Sequence, residues 1–540
     1  MTRTIVIGGG IAGLASAALL AREGHDVTLL ESSAEVGGRA GVWNADGFSF
    51  DTGPSWYLMP EVFEHFYRLF GTSAAEQLAL VKLDPGYRVH FEGDPDPVDI
   101  RADRAANIRL FDGVQPGAGR ALDRYLDSAT ETYDMAVKRF LYSSFESFRP
   151  FLVPDVLRRL GRLTRLLLQP LDKFVAGYVR DPRLRQILGY PAVFLGSAPN
   201  LTPSMYHLMS HLDLSDGVLY PQGGFGTLID SITAIARAEG VHIVTGARVT
   251  AIRVTDRKTV AGVRCVDTDG TSKELDADVV VSAADLHHTE TELVPTDLQT
   301  YPERWWSKRR SGPGAVLVML GVTGTLPQLQ HHSLFFTTDW GTNFSQIFGR
   351  KTSVPSPASL YVCMPSATDA SVAPAGDSNL FVLVPVPADV SLGGGGVDGA
   401  GSATIELIAD AAISQVAQWA GIPDLASRIR VRRTVGPADF ADDLNSWKGG
   451  ALGPAHTLRQ SAFMRGSNTS KKIAGLYYAG GTTIPGIGLP MCLISAEILL
   501  KRLRHDVTTG PLPEPLPARP GRPAASQPGR GTVESAPQRS

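Results

Sequence analysis

Thr4-Ile5-Val6-Ile7-Gly8-Gly9-Gly10-Ile11-Ala12-Gly13 is the stretch on which the fold turns. Four apolar residues predict a buried strand, and an apolar helical pattern follows over residues 12–23. A second strand over residues 27–31 closes a βαβ unit and ends on Glu31. Each glycine has a task in such a unit. Gly8 makes the tight turn, Gly10 lets the backbone approach a pyrophosphate, and Gly13 allows the helix to pack closely on the strand. Ile11 and Ala12 then stand in the first helical turn, where free N–H groups and the positive dipole end favour phosphate. Glu31 is placed to accept both hydroxyls of an adenosine ribose, and its charge opposes a 2′-phosphate, so NADP is not expected. A glycine turn without a ligand is the plain alternative; strand, helix and terminal acid together argue against it.

Working outward, Val36-Gly37-Gly38-Arg39-Ala40 follows the second strand, and Phe50-Asp51-Thr52-Gly53-Pro54-Ser55 follows that. A second glycine turn carrying Arg39 can fold over the pyrophosphate and add a charge-assisted contact. This favours FAD over NAD. Near the other end, Leu476-Tyr477-Tyr478-Ala479-Gly480-Gly481 reads as a strand running into glycines. Pro485-Gly486-Ile487-Gly488-Leu489-Pro490 opens a helix through residue 503. Such a helix start, aimed at the pyrimidine end of a flavin, stabilises negative charge on the reduced ring. The cofactor-binding residues expected are therefore Gly8, Gly10, Ile11, Ala12, Gly13, Glu31, Gly38, Arg39, Gly53, Pro54, Ser55, Gly480, Gly481, Gly486, Ile487 and Gly488. Val249, on a strand over residues 249–254, is counted with them. The three-part pattern resembles the flavoprotein oxidoreductases that include amine oxidases and carotenoid desaturases.

Bulk properties narrow the class. At 540 residues the chain is too long for one core, which predicts two intertwined domains. A formal charge of −3 gives no reason to expect nucleic acid. The three cysteines, Cys265, Cys363 and Cys492, are far apart, which fits neither a disulfide frame nor a zinc ribbon. The fingerprint starts so early that no secretory leader is expected before it, and no apolar run is long enough to span a bilayer. The fold expected is α/β: a Rossmann-like FAD-binding domain assembled from residues 1–70, 220–290 and 471–507, with an inserted α+β substrate domain from 71–219 and 291–470. Residues 60–215 read as mostly helical and irregular, and the glycine run 393–396 as a surface connection. From Thr508 onward Pro, Gly, Ser and Arg predominate, which predicts a disordered tail over 508–540.

Four internal segments carry a closer resemblance. Pro54-Ser55-Trp56-Tyr57-Leu58-Met59-Pro60, Tyr220-Pro221-Gln222-Gly223-Gly224, the stretch Leu452-Gly453-Pro454-Ala455-His456-Thr457-Leu458-Arg459-Gln460-Ser461, and Pro485 to Pro490 together resemble the bacterial-type phytoene desaturases. The resemblance runs to about residue 505. It implies FAD-dependent removal of hydrogen from a polyisoprenoid, phytoene passing to lycopene or a partly desaturated carotene, with oxygen or a quinone reoxidising the flavin. Other relatives of this type are a 3,4-desaturase, a ketolase-like oxidase or an isomerase. Amine and porphyrinogen oxidases share the FAD segments but not the C-terminal motif. Non-catalytic prenyl-lipid carriers of the same fold need no intact pyrophosphate cradle.

A hydrocarbon substrate calls for an apolar tunnel. Phe140, Leu141, Tyr142, Phe145, Phe148, Phe151, Phe194, Leu195, Tyr206, Leu208 and Met209 are candidates for its wall. Some relatives carry an Asp after a Phe-Arg pair; here Phe148-Arg149 is followed by Pro150, so no catalytic base is named. Three constellations are discounted, and no metal site is expected. His207 and His211 lack a third ligand, the pairs His287-His288 and His331-His332 read as surface, and Ser461 with His456 lacks a nucleophile elbow. Finally, Pro154 to Gln169 reads as one helix with Val156, Leu157, Leu160, Leu163, Leu167 and Leu168 on an apolar arc and Arg158, Arg159, Arg162 and Arg165 opposite. Only Leu166 breaks the pattern. This is the signature of a helix lying on anionic lipid, so a cytoplasmic protein attached to the inner face of the cell membrane is expected.

Overall fold

The computed structural model describes residues 1–147 and 152–517. Arg3–Ile7 is the central strand of a five-stranded sheet ordered Leu476–Tyr478, Val279–Ser282, Arg3–Ile7, Asp26–Leu30, His242–Val244. Every pairing in it is parallel. Parallel strands bury both faces, which is why these stretches read as nearly unbroken apolar runs. Side chains alternate between the faces. Val6, Leu29 and Val281 point to one side, where the helices Ile11–Arg22, Phe225–Ala238 and Leu489–Leu503 pack. Ile5, Ile7, Leu30 and Val280 point to the other, against the antiparallel sheet Ala247–Val254, Val260–Asp267, Ser272–Asp276. Stretches remote in sequence thus share one hydrogen-bonded sheet.

A second sheet has seven strands, ordered Ile429–Val435, Gly314–Val322, Ser378–Val386, Leu360–Cys363, His332–Phe336, Tyr87–Phe91, Val98–Ile100. All its pairings are antiparallel except that of His332–Phe336 with Tyr87–Phe91. Val316, Val318 and Leu320 face the helix Ala403–Trp419 through Ile405, Ala409 and Ile413. Leu317 and Met319 face the opposite way, into a core shared with Tyr125, Leu171 and Leu188.

Several expectations are corrected here. Residues 60–215 are mostly helical and irregular as expected, but Tyr87–Phe91 and Val98–Ile100 within them extend the larger sheet. Strands of five and three residues are too short to show a period, and one of the pairings comes from residues 332–336. The glycine run 393–396 is half-buried: Gly395 N–H donates to Asp439 Oδ2 and Gly396 N–H to Thr434 Oγ1. His331 and His332 are buried, since the strand they enter has neighbours on both sides. His287 and His288, also read as surface, are half-buried. The tail reading fails for residues 508–517, where Leu512 and Leu516 are buried and Leu512 N–H donates to Glu497 Oε1 at 2.6 Å; residues 518–540 lie outside the described ones.

The single helix over 154–169 is two, Pro154–Arg158 and Leu160–Leu168. Leu166, the residue that broke the pattern, is the one buried at 3% exposure; with Val156 it anchors the pair to the protein. Leu157, Leu160, Leu167 and Leu168 are instead exposed, Leu168 at 66%. Arg159 and Arg162 turn back onto Glu131, while Arg158 and Arg165 are exposed. No helix among the described residues is long and apolar enough to cross a membrane.

Candidate functional site

The glycine fingerprint forms a groove. Gly8 has a φ of +96°, and a Cβ on Gly13 would fall 1.9 Å from the Gly8 carbonyl oxygen, so the helix start touches the strand end. At Gly10 the situation is opposite: a Cβ there would meet nothing nearer than Gly37 O at 3.9 Å. That open space is bounded by the second glycine turn. Gly37 N–H donates to Gly9 O at 2.9 Å, and Gly38 lies against Gly10 Cα. No side chain caps the helix Ile11–Arg22 at Gly10, which leaves its first N–H groups facing the groove. A cradle of bare backbone lined with amide donors fits the pyrophosphate of FAD.

Glu31 stands at the inner end of this groove. It is buried, and its Oε2 accepts from Gly9 N–H at 2.6 Å while Oε1 accepts from Ser33 N–H at 2.8 Å. Each carboxylate oxygen accepts more than one bond, so the ribose hydroxyls can share it. Val249 packs in the same apolar cluster as Leu30, next to the segment whose Ala247 N–H donates to Glu31 O. Arg39 crosses from the second turn to the residue 446–451 loop, donating to Ala451 O and Ser446 Oγ. Gly53 lies so close to Arg39 O that a Cβ would fall 2.2 Å from it. Beyond Pro54, Ser55 Oγ shares a hydrogen bond with Tyr361 OH at 2.7 Å.

The C-terminal glycines close the groove from the third side. A Cβ on Gly480 would lie 3.5 Å from Ala12 Cβ, which sets this loop against the fingerprint helix. Gly481 follows, and Gly488, with a φ of +119°, starts the helix Leu489–Leu503. At Gly486 a Cβ would fall 2.3 Å from His456 Nε2. Ile487 reaches across to Gly196.

Two residues that hold this loop were not found from the sequence. Arg465 is fully enclosed, and its guanidinium donates to Thr483 O, Pro454 O, Gln460 O and Gly481 O. Burial brings it down to about 10, so it stays charged at neutral pH, among carbonyls. Asn468 Nδ2 donates to Ile484 O at 2.9 Å and Ser495 Oγ at 3.0 Å. Both sit in a stretch of small polar residues with no period, and their partners lie up to 27 positions away. Local pattern carries no trace of that.

Beside the loop stands an aromatic wall. Phe194, Leu195 and Gly196 run past Ile487, and His456 N–H donates to Leu195 O. The Phe194 ring is 5.2 Å from that of Trp56, which also meets Tyr87 and stacks on His332 at 4.4 Å. Behind them Tyr87 and Tyr190 both donate to Asp213 Oδ2, whose carboxyl burial raises to about 7. Of the candidate wall residues, Leu195 and Tyr206 stand next to this loop through His456, Tyr206 edge-on to it, and Phe194 stands next to Trp56. Tyr142 is core, against His65 and Lys501. Leu141, Phe145, Leu208 and Met209 are half-buried and pack on the core beneath the parallel sheet. Phe140 is half-buried as well. Phe148, Arg149, Pro150 and Phe151, and with them the reading of a missing carboxylate, lie outside the described residues.

The discounted constellations have protein partners. His207 binds Ser128 Oγ and Ser204 O, and His211 binds Thr130 Oγ1. His456 Nδ1 binds Leu195 O, and Ser461 Oγ donates to Thr457 O.

Residues 11–498 match the model of the flavin containing amine oxidoreductases. A carotenoid 3,4-desaturase of Haloarcula japonica is 39% identical over 502 residues, covering 93% of this chain and 98% of that one. A zeta-carotene-forming phytoene desaturase of Myxococcus xanthus is 33% identical over 93% of each chain. Among solved structures, an oxidoreductase from Methanosarcina mazei superposes with a TM-score of 0.57 at 16% identity, over 92% of this chain and 100% of that one. At that identity the likeness is one of fold.

Proposed function

The chain belongs to the flavin containing amine oxidoreductases and, within them, to the carotenoid desaturases, and from that premise we propose that it desaturates phytoene, passing it to lycopene or a partly desaturated carotene. The observation that carries this reading is the segment Phe194-Leu195-Gly196, which meets the loop of Gly486, Ile487 and Gly488 through Gly196 and through His456 and continues on its other side into the Trp56 ring. A hydrocarbon offers nothing to hydrogen-bond, so affinity has to come from apolar and aromatic surface next to the reacting ring.

FAD is the cofactor, and when bound it accepts a hydride from the substrate carbon. The groove at Gly8, Gly10, Gly13 and Gly38 would hold the pyrophosphate, Glu31 the ribose, and Gly480, Gly481 and the start of the last helix the ring end. Arg465 keeps the two loops beneath that end in register and places a buried positive charge there. The proton lost from the neighbouring carbon is acidic enough to pass to a weak acceptor. Oxygen or a quinone would serve as the final electron acceptor.

The substrate resides in a bilayer. The exposed Leu157, Leu160, Leu167 and Leu168, flanked by Arg158 and Arg165, supply a surface with which the protein sits on anionic lipid, at the inner face of the cell membrane. A second reading, desaturation at the 3,4 bond of a carotene, is favoured by the 39% identity to the Haloarcula enzyme. Expression in one host accumulating phytoene and another accumulating lycopene separates the two. Coloured products with further double bonds in the first host support phytoene, change only in the second supports the 3,4 bond, and change in neither overturns both.

A further inference from the structure

His332 stands directly opposite Cys363 in the antiparallel pairing of His332–Phe336 with Leu360–Cys363, so both side chains leave the same face of the sheet. The His331 ring lies 4.6 Å from that of His332, nearly perpendicular to it. A ring nitrogen of each histidine and Cys363 Sγ all fall within 4.8 Å of one another, and all three residues are buried. The two rings are held in the same way. His331 Nδ1 shares a hydrogen bond with Thr368 Oγ1 at 2.9 Å, and His332 Nδ1 with Tyr361 OH at 2.8 Å. That leaves Nε2 of each ring, and both are enclosed with no hydrogen-bond partner.

A buried polar group without a partner is costly, and here two stand side by side with a thiol. Protonation does not relieve them, because burial pushes both imidazoles down, His331 to about 3. Nor does Asp369, whose oxygens already accept from Gly223 N–H, Tyr220 OH and Ser371. Neutral imidazoles whose Nδ1 is fixed by a hydroxyl are oriented as metal-bound histidines are.

We propose that His331, His332 and Cys363 form a three-ligand site for a zinc-class divalent cation. Two imidazoles and a thiolate are the ligand chemistry zinc takes. With Zn–N of about 2.0 Å and Zn–S of about 2.3 Å, two tetrahedral nitrogens and a sulfur stand about 3.3–3.5 Å apart, so the three groups close by at most about 1.5 Å on binding. Burial above all pushes the Cys363 thiol up to about 12. The cation displaces that proton to solvent as the Zn–S bond forms, so uptake strengthens with pH. Its place gives it a structural role: Trp56 stacks on His332, and Tyr361 OH joins Ser55 Oγ, so the ion ties the larger sheet to the flavin-side loop.

The test uses the full-length flavin-loaded protein, stripped with a chelator, equilibrated with zinc chloride, desalted and analysed for metal. One zinc per chain is expected, with most of it lost in Cys363→Ser and in His332→Gln and retained in Cys265→Ser, which removes the other fully enclosed strand cysteine. Cobalt in place of zinc adds a thiolate charge-transfer band in the difference spectrum, present in wild type and missing in Cys363→Ser. Little zinc in wild type, or equal zinc in Cys363→Ser, overturns the site and assigns the space to water. Should the variants fail to fold, the wild-type melting temperature decides alone. It rises saturably with zinc and falls back with chelator if the site is real, and does not move if it is not.

Discussion

At the glycine groove the backbone does the work: Gly10 keeps a space open, and what lines that space is amide N–H. Around His331, His332 and Cys363 the side chains do it, brought together by strand register and shut away from water. The first region is defined by atoms it lacks, the second by atoms it cannot satisfy alone. They fail in opposite ways. The groove is broken by adding a methyl group, and the interior by removing a partner.

The largest effect belongs to the groove. Gly13→Val places carbon atoms where the Gly8 carbonyl stands, and we expect protein without flavin, or no folded protein. Gly10→Val, whose side chain has room in the protein itself, should fold and purify without flavin. Full flavin content in Gly10→Val would remove the groove as the pyrophosphate site.

Arg465 sharpens the comparison from the interior side. Arg465→Met leaves the carbonyls of residues 454, 460, 481 and 483 without their donor, a loss of about 3 kcal/mol or more. A lower melting temperature and faster flavin release are expected, with Arg465→Lys recovering part of each. A variant that releases flavin at the wild-type rate would show that the loop needs no such support.

His65 offers a smaller, pH-dependent case. It bonds Glu497 Oε2 at 2.8 Å and Glu514 on the returning C-terminal segment. Burial pulls its pKa down, but the two carboxylates outweigh burial and leave it raised above 6.5. A raised histidine contributes stability that is complete below its unfolded value and lost as pH rises through its folded one. Melting temperature should therefore fall from mildly acid to mildly alkaline solution, and His65→Gln should flatten that slope. An unchanged slope would separate the C-terminal segment from the histidine.

The smallest effect is on the surface. Replacing Arg158 and Arg165 by Gln removes two exposed charges of about 1 kcal/mol each at an anionic surface. Sedimentation with anionic vesicles should weaken by roughly tenfold or more at low salt, with flavin content unchanged. Leu160→Asp should weaken it on neutral vesicles as well. Unaltered binding in both variants would move the lipid contact elsewhere.

Most of the groove is legible in the sequence, because its parts are local: Gly8 to Gly13 lie within one turn and one helix start, and the parallel strands announce themselves as apolar runs. What was not legible depends on pairing. His331 and His332 look like exposed residues until Tyr87–Phe91 is known to flank their strand, and Arg465 means nothing until the residue 481–483 carbonyls are placed around it. The leucine segment is a mixed case. Its period picks out Leu157, Leu160, Leu167 and Leu168, which the structure leaves exposed as a lipid-facing arc requires, but Val156 of that arc and Leu166 outside it are the residues the core takes. Periodicity identifies a face but not which residues the core takes.

The central claim is that a carotenoid hydrogen reaches the flavin held in this groove. Anaerobic mixing of the flavin-loaded protein with phytoene in anionic vesicles, followed by flavin absorbance and product analysis from the same sample, tests it directly. The account predicts one equivalent of flavin bleached for each double bond formed, with colour restored by oxygen or a quinone. New double bonds without bleaching, or bleaching without new double bonds, would contradict it.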